Sequence, residues 1–185
     1  YDVDVLANTL SDHQITIVNC APSTFYPLVD IDIQGLSFTS LRYLVLGGEP
    51  INMASLNPWL DTDGVNCQVI NSYGPTECTD VVASHVISRS DRRKNITPIG
   101  KPIQNTQVYI ADQQGKLLPE GMVGELCVAG SGMGQGYLGK QALTDRVFLD
   151  NPYGEGKWYR TGDLARYYPT GDIDYVGRKD FQVKL

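Results

Sequence analysis

Residues 159–185 read YRTGDLARYYPTGDIDYVGRKDFQVKL, and this stretch indicates the architecture of the second half of the chain. It contains two Thr-Gly-Asp segments, at residues 161–163 and 170–172, and ends in the charged segment Gly-Arg-Lys-Asp at 177–180. The second Thr-Gly-Asp, preceded by Pro169, separates two runs rich in Tyr and Ile, which is the pattern of a β-hairpin. We therefore predict antiparallel strands that present carboxylates from two tight turns.

Further strand signals precede this stretch from about residue 96 onward. Apolar runs at 108–111 and 123–128 are separated by turn-forming residues, and a short helix is predicted over 142–148. Short strands broken by Gly, Pro and Asp are typical of a small β-barrel or meander. We expect this half to be barrel-like.

The first 95 residues follow a different pattern, in which short apolar runs alternate with helical spacing. The runs at 15–20, 41–46 and 68–71 read as buried strands. Ser23 and Asn52 are each expected to cap a helix that follows one of the first two strands. This alternation predicts an α/β fold with a mostly parallel sheet.

Composition narrows the class of protein. The chain has 185 residues, of which 42% are hydrophobic and 19% charged, so it is expected to be globular. Its net charge of −6 argues against nonspecific nucleic-acid binding, and it has no apolar run long enough to span a bilayer. Its four cysteines lack CxxC spacing and its two histidines are isolated, which argues against a zinc site and favours free thiols in a reducing, cytoplasmic compartment.

Two segments carry groups that suit a nucleotide. Residues 72–77 (Ser-Tyr-Gly-Pro-Thr-Glu) directly follow a predicted strand, and ligands of open α/β sheets bind at the carboxyl ends of strands. The turn presents an aromatic ring, a hydroxyl and a carboxylate, which could stack on a base, contact a phosphate and hold Mg²⁺. Asp163 could accept both hydroxyls of a ribose. From the residues alone, ordinary surface turns remain the alternative for both segments.

Taken together, residues 72–77, 161–163 and 177–184 resemble the adenylation domains of nonribosomal peptide synthetases, which belong to the adenylate-forming, AMP-binding superfamily. The form Gly-Arg-x-Asp-x-Gln-Val-Lys favours peptide synthetases over acyl-CoA ligases and luciferases. The resemblance spans nearly the whole chain but only the central to C-terminal part of the family's large subdomain. It implies an α/β part at 1–95, a β-barrel-like subdomain at 96–177, and the start of a hinge to a small C-terminal domain at 178–185.

The resemblance also implies roles for individual residues. Tyr73 would stack on adenine, Thr76 would meet the α-phosphate, Glu77 would bind Mg²⁺, and Asp163 would bind the ribose. The residues expected at the nucleotide are Gly48, Glu49, Asn71, Tyr73, Asp163 and Arg178, with Thr76 and Glu77 as the catalytic pair. Asp180 would be the hinge residue.

A side-chain pocket for the substrate is implied in the same way. Its expected residues are Asn19, Val45, Gly47, Ser72, Asp80 and Val81. Gly47 would leave the pocket floor open, and Asp80 would favour a cationic or hydrogen-bonding substrate. Solvent exposure of Asp80 is the alternative.

A glycine-rich segment receives no ligand role. Residues 134–139 match GxGxxG, but they open no βαβ unit and no acidic residue ends a second strand about twenty residues on. The segment instead resembles the family's stretch from Gly-Glu-Leu to Gly-Tyr-Leu, at 124–138. Gln135 stands where the family usually has Arg, so we expect structural strands and turns.

The implied parent reaction has two steps. An amino-acid carboxylate attacks the α-phosphate of Mg-ATP, and the aminoacyl group then passes to a phosphopantetheine thiol on a peptidyl carrier domain beside other synthetase domains. The chain lacks the family's phosphate loop and C-terminal lysine region, so we expect an excerpt that is inactive alone. Alternatives are a fragment of an acyl-CoA or aryl-acid ligase and a non-catalytic nucleotide-binding piece. The sequence does not specify which amino acid is activated.

Overall fold

A computed structural model describes residues 2–33, 38–93 and 97–179 of the chain. Its helices are α1 (Val3–Asp12), α2 (Pro22–Ile33), α3 (Met53–Leu60) and α4 (Gln141–Val147). Its strands are β1 (Ile17–Cys20), β2 (Tyr43–Gly47), β3 (Gln68–Tyr73), β4 (Ala83–Val86), β5 (Lys101–Pro102), β6 (Thr106–Ala111), β7 (Gly124–Gly130), β8 (Phe148–Asp150), β9 (Lys157–Tyr167) and β10 (Ile173–Arg178). The chain divides into two compact units, one of Tyr1–Ser72 with Val86–Thr97, the other of Tyr73–His85 with Pro98–Leu185.

The first unit is built on the parallel strands β1, β2 and β3. In their register Asn19 lies opposite Val45, and Leu46 lies opposite Asn71. Because parallel strands need crossover connections, helices α2 and α3 link them in the order that the sequence predicts. The predicted α/β character of this part is confirmed.

The core of the first unit lies between its helices and one face of the sheet. Its fully buried side chains include Phe25, Leu28, Leu44, Leu46, Leu56 and Trp59. The rings of Phe25 on α2 and Trp59 on α3 meet edge to face, 5.2 Å between centroids. Each such side chain contributes about 1.5–3 kcal/mol by burial, which fixes the helices against the sheet.

The two predicted helix caps have different outcomes. Asn52 caps α3 as predicted, because its Oδ1 accepts a hydrogen bond from the amide of Ala54 at 3.1 Å. The prediction for Ser23 is wrong, because α2 begins at Pro22, a residue well suited to the first helical position. Ser23 therefore lies inside the first turn, where its amide and its hydroxyl donate to Glu49, at 3.1 and 2.9 Å.

The second unit contains an antiparallel sheet in the order β10-β9-β7-β6, with β8 paired to β9. The succession of an α/β part and an antiparallel part is confirmed, and the described strands form an open meander without closing into a barrel. The predicted hairpin joins β9 to β10. Its turn is closed by bonds from the amide of Tyr168 to the carbonyl of Asp172 at 2.8 Å and from the amide of Gly171 to the carbonyl of Tyr168 at 2.9 Å.

The other predicted turn, at residues 161–163, is wrong. These residues lie inside the continuous strand β9, which pairs with β7 on one side and β10 on the other. Glu125 of β7 lies opposite Leu164 and Cys127 lies opposite Arg160, so residues 161–163 oppose a single residue of β7. Extra residues on one strand opposite a single residue of its partner make a β-bulge. The chain does not reverse here, because it stays paired with a strand on each side. We call residues 161–163 the β9 bulge.

The predicted domain limits at 95 and 177 stay predictions. The compact units interleave along the sequence, since Tyr73–His85 belong to the second unit and Val86–Thr97 to the first. All four cysteines are free. In the part of the chain that the structure describes, no helix has the length and apolar character needed to cross a membrane.

Candidate functional site

Three predicted site residues meet in the second unit. Tyr73 ends β3, Asp163 lies in the β9 bulge, and Arg178 ends β10 opposite Asp163. The Tyr73 hydroxyl donates a short hydrogen bond to Oδ2 of Asp163. Arg178 donates through Nη1 to Oδ1 of Asp163 at 3.2 Å and to the carbonyl of Thr161 at 3.0 Å. We call Tyr73, Asp163 and Arg178 the Asp163 cluster.

The β9 bulge depends on its central glycine. Gly162 has φ +74°, a left-handed conformation that side chains disfavour. A Cβ atom at this position would also lie 3.0 Å from Nη2 of Arg178. The glycine therefore turns the backbone so that Asp163 points toward Tyr73 and leaves room for the guanidinium group.

Burial controls the electrostatics of the cluster. Asp163 is only 5% exposed, and a carboxylate at such a site needs charged or hydrogen-bonding partners, which Arg178 and Tyr73 supply. Burial, followed by the Asp163 charge, raises the pKa of Tyr73 well above its ordinary value, so the phenol stays a neutral donor. A carboxylate offers about four lone-pair positions, which leaves acceptor capacity for two further hydroxyl groups.

A second carboxylate, Glu77, lies in a short 3-10 turn, Thr76–Cys78. Its Oε1 accepts a hydrogen bond from the Tyr137 hydroxyl at 2.6 Å, and that hydroxyl lies 3.4 Å from the hydroxyl of Tyr159. Burial alone would raise the pKa of Glu77, but hydrogen bonds, first among them the one from Tyr137, leave the pKa below its ordinary value. The carboxyl group of Glu77 is thus kept ionised. The preceding residue, Thr76, is exposed to solvent.

The glycine-rich segment supports this turn. The amide of Gly134 donates to the carbonyl of Glu77 at 2.7 Å, and the hydroxyl of Thr79 donates to the carbonyl of Gly132 at 2.6 Å. Cβ atoms at Gly132 and Gly134 would lie 3.0 Å from the carbonyl oxygens of Cys78 and Glu77, respectively. The two glycines let the backbone of residues 132–134 approach that of residues 77–79 closely. The two hydrogen bonds between these segments hold the turn that carries Glu77.

The residues present suit a magnesium ion that is shared with a ligand. Among residues 2–33, 38–93 and 97–179 there is no cluster of three or more His, Cys, Asp or Glu that could hold a metal. Mg²⁺ is commonly bound through one or two carboxylates together with substrate phosphates. A single fixed anion such as Glu77 fits that mode and does not fit an all-protein cage.

Four predicted pocket residues share one face of the first unit's sheet. Asn19 and Val45 are register partners, as are Gly47 and Ser72. Since side chains alternate along a strand, these residues face away from the helices that cover Leu44 and Leu46. A Cβ atom at Gly47 would lie 2.5 Å from Oγ of Ser72, so the Ser72 side chain, and not open space, lies over Gly47.

The other predicted residues of the first unit have structural partners. The carboxylate of Glu49 accepts hydrogen bonds from Ser23 in the first turn of α2. The N-terminal end of a helix stabilises a negative charge. Gly48 has φ +84°, and a Cβ atom there would have no other atom within 4 Å, so its conformation alone favours glycine. Asn71 is buried and donates to the carbonyl of Thr97 at 3.4 Å. Their roles at a nucleotide stay predictions.

The last two pocket residues, Asp80 and Val81, belong to the second unit. Asp80 is exposed and has φ +68°. A Cβ atom at Gly74 would lie 1.4 Å from the carbonyl oxygen of Asp80, so the loop folds back onto a position where only glycine fits. Asp180, the predicted hinge residue, lies outside the described residues.

Sequence reasoning missed three residues of the second unit that contact the site. In the sequence, Tyr137 is recognisable only as part of Gly-Tyr-Leu. Tyr175 is recognisable only as a strand residue, although the centroid of its ring lies 5.9 Å from that of the Tyr73 ring. Glu125 reads as the centre of Gly-Glu-Leu, yet its carboxylate accepts a hydrogen bond from the amide of Gly162 at 3.2 Å. A charged residue inside an apolar strand is the signal that could have found Glu125.

Comparison with known proteins identifies a family. Residues 1–138 match the family described as AMP-binding enzyme. The chain is 39% identical over 184 residues to malpinin synthetase of Mortierella alpina, covering 97% of this chain and 2% of that protein. It is 37% identical over 185 residues to surfactin synthase subunit 1 of Bacillus subtilis, covering 100% of this chain and 5% of that protein.

Solved structures agree with these relatives. The fold matches PA1221, a nonribosomal peptide synthetase protein containing adenylation and PCP domains, with TM-score 0.89 and 34% identity over 100% of this chain and 37% of that chain. It also matches the synthetase FmoA3 in its α-methyl-L-serine-AMP bound form, with TM-score 0.89 and 31% identity over 98% of this chain and 21% of that chain. The chain thus spans a small part of the proteins it resembles, and the predicted resemblance to peptide synthetases is confirmed. The chain belongs to the AMP-binding enzyme family.

Proposed function

We propose that the protein carrying this chain activates an amino acid with ATP, forming an aminoacyl-adenylate and pyrophosphate. It then transfers the aminoacyl group to a carrier protein as a thioester, with release of AMP. The observation that carries the proposal is the Asp163 cluster together with the fixed carboxylate of Glu77, both in the second unit. The family description names an adenine nucleotide as ligand, which agrees with the chemistry of both groups.

The Asp163 cluster binds the nucleoside in this proposal. The carboxylate of Asp163 accepts the two ribose hydroxyls through the lone pairs that Tyr73 and Arg178 leave free. The hydrogen bond from its own hydroxyl fixes the ring of Tyr73, which presents a face for stacking on adenine. Arg178 balances the charge of the buried carboxylate and contributes positive charge beside the nucleotide.

The Glu77 turn acts at the phosphates. Thr76 is exposed and would offer its hydroxyl to the α-phosphate. Glu77 would hold Mg²⁺ together with phosphate oxygens of the nucleotide. Mg²⁺, when bound, neutralises charge on the phosphate oxygens. The chain's own contribution is to hold Glu77 ionised and in place, through Tyr137 and the glycine-rich segment, since positioning and charge dominate this chemistry.

Substrate selection and transfer complete the proposal. The face of the first unit's sheet that carries Asn19, Val45, Gly47 and Ser72 contributes to the side-chain pocket. The roles of Asp80 and Val81 in substrate choice stay predictions. The aminoacyl group is then passed to a phosphopantetheine thiol on a carrier domain, and AMP leaves. The similarity to PA1221, which contains adenylation and PCP domains, supports this step.

Amino-acid-dependent exchange of pyrophosphate into ATP, by the protein that carries this chain, tests the activity. The proposal predicts exchange with a subset of a panel of amino acids, and loss of exchange in Glu77→Gln. Absence of exchange with every amino acid, or an unaffected Glu77→Gln variant, would contradict it. Product analysis with a carrier protein and with coenzyme A separates a peptide synthetase from an acyl-CoA ligase, because the proposal predicts a thioester on the carrier only.

A further inference from the structure

We propose that Glu125 is a positioning residue for the nucleotide site, which holds the β9 bulge and the end of β10 so that Asp163 and Arg178 meet. The inference rests on the proposed function and adds to it a residue that touches no ligand. The described partners of the Glu125 carboxylate lie in the second unit, on β9 and directly after β10.

Glu125 is a buried carboxylate in the middle of the sheet. It is 8% exposed, on β7, where the neighbouring side chains are apolar. Its Oε2 accepts a hydrogen bond from Nε of Arg160 at 3.0 Å and a shorter one from Nη2 of the same guanidinium. Burying a carboxylate is costly, so a chain that needed only a stable strand would place an apolar residue here.

The remaining contacts of Glu125 lead to the nucleotide site. Its Oε1 accepts from the amide of Gly162 at 3.2 Å, and its Oε2 lies 3.5 Å from Nζ of Lys179. The amide of Lys179 donates in turn to the carbonyl of Gly162 at 2.8 Å. One carboxylate therefore binds both the β9 bulge and the residue that follows β10.

The residues that Glu125 contacts are sequence neighbours of two members of the Asp163 cluster. Gly162 lies between Thr161, whose carbonyl accepts from Arg178, and Asp163, whose carboxylate accepts from the same Nη1 atom. Lys179 directly follows Arg178. A shift of Gly162 or Lys179 would therefore move Asp163 relative to Arg178. Glu125 contacts both Gly162 and Lys179 and so holds Asp163 and Arg178 in their relative positions.

Loss of the Glu125 charge acts on the geometry of the Asp163 cluster. Gln at this position keeps the size of the side chain but leaves Arg160 and Lys179 without their shared anion. Without that anion the bulge and the end of β10 lose a common partner, and a shift of either one displaces Asp163 from Arg178. The ribose hydroxyls then lose their positioned acceptors.

The chain offers a matched control in Asp174. Asp174 is 3% exposed, lies in the same sheet, and pairs with Arg166 at 2.9 Å, as Glu125 pairs with Arg160. In the register of β9 and β10, however, Asp174 lies opposite Arg166, whereas Arg178 lies opposite Asp163. Asp174→Asn removes an equally buried charge without touching the bulge.

The test is equilibrium binding of ATP, by calorimetry, to the protein that carries this chain and to its Glu125→Gln and Asp174→Asn variants. Midpoints of thermal unfolding are recorded for all three, and binding is measured well below the lowest. We expect Glu125→Gln to weaken ATP binding about tenfold or more, as removal of residues that orient ligand-binding groups does. Asp174→Asn should bind ATP within about twofold of the parent protein at a comparable loss of stability. Equal ATP affinity in the two variants overturns the proposal.

Two further variants separate this inference from the proposed function. Asp163→Ala should abolish or strongly weaken ATP binding; unchanged binding in Asp163→Ala would refute the proposed nucleotide site itself. Weak binding in Asp163→Ala with normal binding in Glu125→Gln would refute the positioning role alone. If Glu125→Gln fails to fold, Lys179→Met takes its place, since the Lys179 side chain is 48% exposed. Weakened ATP binding in Lys179→Met supports the role, and unchanged binding overturns it.

Discussion

Replacing Tyr73 by Phe removes one hydroxyl from the Asp163 cluster and leaves the ring in place. The hydroxyl donates to a carboxylate that is 5% exposed, and hydrogen bonds to charged groups contribute about 1.5–3 kcal/mol. We expect the free energy of unfolding to fall by about 2 kcal/mol, in the middle of that range. Urea denaturation measures it, with unchanged slope as evidence that the folded state is otherwise intact.

Tyr167→Phe is the matched control for this prediction. The Tyr167 hydroxyl donates to the neutral carbonyl of Val108 at 2.9 Å, so its loss should cost only about 1 kcal/mol. In an Asp163→Ala background the cost of Tyr73→Phe should nearly vanish, because its acceptor is gone. A loss of stability in Tyr73→Phe no larger than that in Tyr167→Phe, or one that persists in Asp163→Ala, would refute the stabilising bond between Tyr73 and Asp163.

Three further predictions concern the same unit. Tyr137→Phe should raise the Mg²⁺ concentration needed for half-maximal pyrophosphate exchange about tenfold, because Glu77 loses its fixed orientation; an unaltered Mg²⁺ titration would remove Tyr137 from this role. Asp80→Ala should shift the amino-acid profile away from cationic or hydrogen-bonding substrates, and an unchanged profile across a panel would place Asp80 outside the pocket. The folded state keeps the proton of Tyr73, whose pKa is raised by burial, so the free energy of unfolding should decrease as pH rises above about 10, the ordinary tyrosine value. Urea denaturation at pH 9 and 11 measures that decrease, which should be smaller in Tyr73→Phe.

Local features of the fold could be predicted from the sequence because neighbouring residues produce them. Asn52 predicts the start of α3, because its side chain accepts from the amide two residues on. The hairpin turn before Asp172 follows from Pro, Thr and Gly within four residues. In each case the stabilising contact lies within one or two turns of the residue that signals it.

Features that depend on distant partners could not be predicted. The β9 bulge reads as a turn because only pairing with β7 and β10 shows that the chain continues through Gly162. Ser23 reads as a helix cap because its actual partner, Glu49, lies 26 residues away. The hydrogen bond of Tyr73 to Asp163 spans 90 residues, so motif resemblance indicates both residues without indicating that they touch.

The supporting residues show the same limit. Glu125 lies in a strand whose other side chains are apolar, and its partners, Arg160 and Lys179, come from β9 and from the end of β10. Tyr137 reaches Glu77 across 60 residues of sequence. The sequence identifies the groups that would touch a ligand, and the structure identifies those that hold them.

The central claim is that Asp163 binds the ribose of ATP in an amino-acid-activating enzyme. The most direct test is the Michaelis constant for ATP in amino-acid-dependent pyrophosphate exchange, measured for the protein that carries this chain before and after Asp163→Ala. Two hydrogen bonds to a charged carboxylate, each about 1.5–3 kcal/mol, predict an increase of at least about a hundredfold. An unchanged Michaelis constant for ATP would contradict the account.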